Sequence, residues 1–179
     1  GGGPFNVART LGRLEQPVAY LGRVSLDRFG EQHVRMLAED GVALDCVTRT
    51  DDPSLLAMAE LDAQGAATYR FYAEGTAAPG LTTATLPPGV DALHVGTLGL
   101  ALEPIATTLE GLVAGSPALV MVDPNCRPGA APDEALYRAR LQRVIARADV
   151  VKVSDDDAAW LGVHPRDLLA GGPAAVLLT

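Results

Sequence analysis

Lysine is almost absent from this chain. Lys152 is the only one in 179 residues, and 14 basic side chains face 22 acidic ones, for a formal charge of −8. With no basic block, neither a nucleic-acid footprint nor attraction to an anionic membrane is expected. No apolar run approaches the ~20 residues of a membrane span, and no secretory signal precedes the globular pattern. Cysteine is scarce too. Cys46 and Cys126 lie too far apart for metal-ligand spacing, so a reducing, cytoplasmic setting is the expectation. His33, His94 and His164 are scattered and read as structural. Lys152 stands outside any G-x-x-x-x-G-K-[ST] context, no G-x-G-x-x-G follows a strand, and Ser116 lacks a G-x-S-x-G setting. A P-loop, a Rossmann dinucleotide site and nucleophile-elbow hydrolysis are therefore not indicated.

What the chain does have begins at its first residue. Gly1-Gly2-Gly3-Pro4-Phe5-Asn6-Val7-Ala8-Arg9 joins a glycine loop to a helix start, with Pro4 suited to the first turn and apolar Val7, Ala8, Leu11 and Leu14 at helical spacing. Such a loop presents free N–H groups and the positive end of the helix dipole, which suits an anion or a polyol. Asn6 can offer a donor and an acceptor to a hydroxyl-rich ligand. A flexible chain end before an ordinary helix fits the same residues.

Along the chain, Pro17–Leu21 predicts a strand ended by Gly22, and a helix should lie between Asp27 and Asp40. Residues 55–61 and 66–72 read as a hairpin around a polar glycine turn, which in an α/β chain should lie outside the main sheet. From residue 90 a βα rhythm takes over. Strands are expected at 90–95, 118–122, 150–153 and 174–178, and helices at 103–113, 133–148 and 155–161. This alternation predicts an α/β fold with a doubly wound, mostly parallel sheet flanked by helices. Opening without methionine and stopping on a strand-like run, the sequence reads as a piece of a longer protein.

Doubly wound sheets bind ligands beyond the C-terminal ends of their strands. After the strand ending at Val122 comes Asp123-Pro124-Asn125-Cys126-Arg127-Pro128. There Arg127 could hold a phosphate or carboxylate, while Asp and Asn could equally serve the turn itself. After the next strand, Ser154-Asp155-Asp156-Asp157 reads as an N-cap with Asp157 three residues on, close to a capping box; its carboxylates could also hold Mg²⁺ through water.

Taken in order, these segments resemble the ribokinase-like carbohydrate kinases, the pfkB family. Gly1–Ala8 is similar to that family's Gly-Gly-x-x-x-Asn sugar signature, and Gly22–Gly30 to its next one, with Ser25-Leu26 as departures. Residues 55–72 correspond to its β lid, and Asp123–Arg127 to the Asp-x-Asn-x-Arg loop of fructokinase-like and ketodeoxygluconate-kinase-like members. Residues 151–157 take the place of its Asn-x-x-Glu motif, with Ser154 and Asp157 substituted. The resemblance implies a ribokinase-like core (1–45 and 74–179, incomplete) with a lid (46–73), and ATP-dependent phosphorylation of a sugar hydroxyl. It implies sugar contacts at Gly1, Gly2, Asn6, Tyr72 and Arg127. Nucleotide contacts would fall at Asn125, Arg127, Lys152 and Ser154, and Mg²⁺ at Asp157 through water. The catalytic base would lie in a Gly-Ala-Gly-Asp segment beyond Thr179, so no residue here is given that role. Glu74 after Tyr72 favours a neutral sugar over a sugar acid. Partners would be a small sugar and ATP, with a homodimer formed through the lid. A ribose or nucleoside kinase, a non-catalytic sugar- or nucleotide-binding module, and a scaffold dimerising by its hairpin are the alternatives.

Overall fold

The structure, a computed structural model, describes residues 2–61, 65 and 67–179. The expected contact at Gly1 and most of the hairpin turn lie outside the described residues. The chain opens on helix α1 (Gly3–Arg13), then β1 (Gly22–Ser25), α2 (Arg28–Glu39) and β2 (Val47–Thr50). The hairpin β3 (Leu56–Leu61) and β4 (Ala67–Tyr72) follows. The remainder alternates as β5 (Ala92–Gly96), α3 (Ile105–Gly115), β6 (Leu119–Asp123), α4 (Glu134–Arg147), β7 (Val150–Val153), α5 (Asp155–Leu161), α6 (Pro165–Leu168) and β8 (Ala175–Leu178).

Strands β5 to β8 form a parallel four-stranded sheet in chain order, as crossovers through helices require. One face carries Val95, Val120, Val122, Val151 and Val153, which bury against Leu109 and Val113 of α3 and Leu141, Val144 and Ile145 of α4. That is the main core. A second, smaller one joins Phe5 and Ala8 of α1 to Leu37 and Val42 at the end of α2. Because the sheet is parallel, the C-terminal ends of β5, β6 and β7 lie along one edge. Among the described residues no helix is long and apolar enough to cross a membrane.

The strand expected at Pro17–Leu21 is displaced. That run makes one isolated bridge, Ala19 to Ala43, and the ladder with β2 starts only at Gly22. Gly22 does not end the strand but begins it. A side chain there would meet the ring of Tyr20 at 3.0 Å. The partner strand β2, Val-Thr-Arg-Thr, was not expected at all; residues 47–50, grouped by sequence with the lid, pair in parallel with β1 instead. The hairpin proper is antiparallel, with Leu56 opposite Tyr72 and Met58 opposite Arg70.

Candidate active site

Three strand ends and one helix start meet at the C-terminal edge of the sheet. Gly2, at φ 94°, caps α1 in a backbone conformation that favours glycine. A side chain at Gly3 would come within 2.9 Å of Thr97 Oγ1. Thr97 follows β5 with φ 57°, a rare conformation for a β-branched residue, and its hydroxyl accepts a hydrogen bond from Asn125 Nδ2 at 3.2 Å. Asn125 is itself left-handed, at φ 39°. Strain of this kind persists only where surrounding structure over-determines it. Here the cause is visible: Gly96 passes so close to the Asp123 carbonyl that a Cβ would lie 1.9 Å from its oxygen, and Thr97 N donates to Pro124 O. The glycine loop, Thr97 and Asn125 thus share one corner. Asn6 sits exposed one turn into α1, and its side-chain amide has no partner among the described residues.

Arg127 lies between two clefts. One, of about 320 Å³, is lined by Tyr69 and Phe71 of the hairpin together with Cys126, Arg127, Pro128 and Gly129. The other, of about 360 Å³, runs from Asn125–Pro128 to Ser154, Asp156 and Trp160 at the start of α5. The Arg127 guanidinium donates to the carbonyls of Asn125 and Cys126, holding the loop in a tight curl. Tyr69 and Phe71 stack with centroids 6.3 Å apart. Tyr72, expected to contact substrate, points the other way. In a strand successive side chains alternate, so Tyr72 joins Leu56 and Met58 on the hairpin face opposite Tyr69 and Phe71.

The capping box at α5 is present, and it redefines Asp157. Its Oδ2 accepts from Ser154 N at 3.0 Å and Ser154 Oγ at 2.8 Å, and its Oδ1 accepts from Cys126 N at 2.6 Å. The residue is 4% exposed. Burial pushes its pKa up, but the hydrogen bonds from Ser154 and Cys126 outweigh it and leave the carboxyl below its ordinary value. Burial and the neighbouring Asp157 push the Cys126 thiol up to about 12, so it stays protonated. Asp157 is thus a clip joining the β6 loop to α5, and both oxygens are committed. Asp156 is the exposed carboxylate in that cleft. Among the described residues no three His, Cys, Asp or Glu side chains cluster as a metal site. Direct coordination of Mg²⁺ by Asp157 would compete with these hydrogen bonds. Ser154 is likewise occupied, its hydroxyl both donating to Asp157 and accepting Asp157 N.

Lys152 is not in the cleft. It lies on the sheet face opposite the main core, with Nζ 3.5 Å from Asp123 Oδ1. His94, on the same face, has its pKa lowered by burial and pulled back up by Asp123. Of the other histidines, His33 packs on Phe5, and His164 caps α6 by accepting from Arg166 N.

The comparisons with known proteins fit this arrangement. The pfkB family carbohydrate kinase model matches residues 1–174. The chain belongs to the pfkB family. It is 39% identical over 169 residues to the fructokinase of Rhizobium leguminosarum bv. trifolii, covering 92% of this chain and 52% of that protein. Fructokinase-2 of Oryza sativa is 32% identical over 171 residues, covering 90% of this chain and 50% of its own. The chain therefore spans about half the length of the curated relatives it matches. Among solved structures, the fructokinase of Xylella fastidiosa superposes with a TM-score of 0.85 at 26% identity, over 100% of this chain and 62% of that one. The Vibrio cholerae fructokinase, solved with fructose, ADP and calcium, gives 0.80 at 25% identity, over 96% and 58%. In this pfkB chain Thr97 is the residue at this corner that motif reading passed over. Its signal was its place as the first polar residue after an apolar strand.

Proposed function

We propose that the protein of which this chain forms part transfers the γ-phosphoryl group of ATP to a hydroxyl of a neutral sugar, with fructose as the first candidate. The observation that carries this reading is the position of Arg127 between an aromatic cleft under the hairpin and a cleft at the start of α5. A sugar in the first and a nucleotide phosphate in the second would meet at that guanidinium. Phosphoryl transfer depends on positioning and charge neutralisation, and a fixed arginine supplies both. In this reading the hairpin is the lid over the core, excluding water that would compete as acceptor. The α1 N-terminus, Thr97, Asn125 and Asn6 would offer hydrogen bonds to sugar hydroxyls. Phe71 and Tyr69 would cover the sugar ring. Mg²⁺ would arrive with the nucleotide. The attacking hydroxyl's proton acceptor is assigned to no residue of this chain. The relatives named fructokinase, and neighbours solved with ATP or with fructose and ADP, support the choice of substrates. The outer face of the hairpin, with Leu56, Met58 and Tyr72 exposed, is where we place contact with a second copy.

The test is sugar-dependent ADP release by the full-length protein over fructose, ketodeoxygluconate, ribose and adenosine. Phe71→Ala should raise the KM for the sugar by about tenfold, whereas Tyr72→Ala should leave it within about twofold. Equal effects of the two would refute the assignment of faces. Ligand-dependent quenching of Trp160 without turnover would mark a binding module instead.

A further inference from the structure

Both connections of the hairpin are tied at one place. Asp27 accepts Gly30 N at 2.8 Å and so caps α2, and the same carboxylate takes both Ser54 N and Ser54 Oγ, each at 2.8 Å. Ser54 lies two residues before β3. Beside it, Arg23 of β1 pairs with Asp52 at 2.6 Å and donates to Thr50 Oγ1 at 2.8 Å. The returning connection is joined in turn: Ala77 N donates to Pro53 O at 2.8 Å. Gly80 lies under the Arg23 guanidinium, where a Cβ would sit 2.0 Å from Nη1. The N–H groups of Gly30 and Ser54 hold the Asp27 carboxyl well below the usual carboxylate range, so the clip stays charged across physiological pH.

A two-stranded hairpin is marginal by itself, and its rigidity must come from where it is anchored. Asp27 sits in a segment that resembles a sugar-kinase signature, yet its lone pairs are spent on α2 and the hairpin base. We propose that Asp27 is a positioning residue: with Ser54 it forms the hinge pin that sets how the hairpin's Tyr69 and Phe71 stand over the Arg127 loop. The kinetic consequence rests on the sugar-kinase reading; the hinge itself does not.

Asp27→Asn separates the two duties, because asparagine caps helices as well as aspartate but places an NH₂ against Ser54 N–H. Ser54→Ala removes the hydroxyl tie, and Ser54→Thr keeps it. Asp133→Asn, at a carboxylate that only caps α4 through Leu136 N, is the control. In the full-length protein, Asp27→Asn should raise the sugar KM about tenfold with kcat and the ATP KM within about twofold, and Ser54→Thr should behave as wild type. By hydrogen exchange, the amides of Ser54 and of both hairpin strands should exchange about tenfold faster in Asp27→Asn while those of α2 hold. If Asp27→Asn matches the Asp133→Asn control in exchange, or if faster exchange spreads through α2, the hinge is refuted. A wild type with no sugar-dependent turnover would refute the kinase reading, and the exchange result would still decide the hinge.

Discussion

Replacing Asp157 with alanine should destabilise this chain by about 3–5 kcal/mol, without any ligand present. Three hydrogen bonds end on that buried carboxylate, from Cys126 N, Ser154 N and Ser154 Oγ. Bonds to a charged acceptor are each worth about 1.5–3 kcal/mol, and alanine would also leave the Cys126 and Ser154 amides without an acceptor. The sum is discounted because Ser154 Oγ keeps a partner in Asp157 N and because water can reach the helix start from the adjoining cleft. At about 2–4 °C per kcal/mol for a chain of this size, the fall in Tm should be about 6–20 °C. Trp160, the only tryptophan, lies one turn further along α5 and reports directly in urea titrations followed by fluorescence. The midpoint should drop with the slope unchanged. The pH dependence has a definite sign. The folded pKa lies below the ordinary value, so the ionic part of the contribution is present above pH about 4 and is lost as pH falls through the folded pKa. The stability gap between wild type and Asp157→Asn should therefore narrow on acidification. A loss under about 1 kcal/mol for Asp157→Ala, or a gap that widens in acid, would refute the clip.

Two further outcomes follow from the packing. Gly3→Ala should leave stability nearly unchanged, because alanine's helix propensity offsets by about 1 kcal/mol the push on Thr97, yet it should raise the sugar KM about tenfold by turning the Thr97 hydroxyl away from Asn125; paired Tm and KM measurements check both halves. Arg140→Met should cost about 2–4 kcal/mol in urea titration. This 3%-exposed guanidinium pairs with Glu103 and Glu110 and reaches the Leu100 carbonyl, joining α3 to α4 and to the turn that begins at Thr97. Adding Glu103→Gln and Glu110→Gln should recover part of the loss.

The βα rhythm after residue 90 was legible because each element there follows its own period: apolar runs for strands buried beneath helices, caps at Asp133 and Ser154 for the helices between them. The first parallel pair was not. Pro17–Leu21 is more apolar than Gly22–Ser25, but the ladder starts at Gly22, which leaves room for the Tyr20 ring, and no hydrophobicity pattern records that contact. Alternation in β4 told that the aromatic residues divide between two faces. Which face meets the Arg127 loop is a tertiary fact: Tyr69 and Phe71 line that cleft, and Tyr72 lies on the opposite face. Ser154–Asp157 supported both a cap and a metal role; the cap is present, and the arrival of Cys126 N on the same carboxylate, from 31 residues away, had no signal in the sequence.

Those gaps share a cause. The motifs of this chain name residue types suited to a ligand, but the same types are the ones a fold uses to tie loops to helix starts. Asp27, Ser154 and Asp157 all stand where a charge-rich signature suggests ligand contact, and in each the polar atoms are engaged by backbone N–H groups and serine hydroxyls of the fold itself. What remains for a ligand are groups whose geometry is fixed while some of their polar atoms stay uncommitted: the α1 N-terminus, Asn6, and the Arg127 guanidinium, which among the described residues donates only through Nη1. A buried polar group with every bond satisfied stiffens the loop that carries it. Asp157 ties the Asn125–Arg127 curl to α5, and on the proposed hinge Asp27 does the same for the hairpin. Signature carboxylates that tie loops to helix starts can in this way be as necessary to a site as residues that contact its ligand.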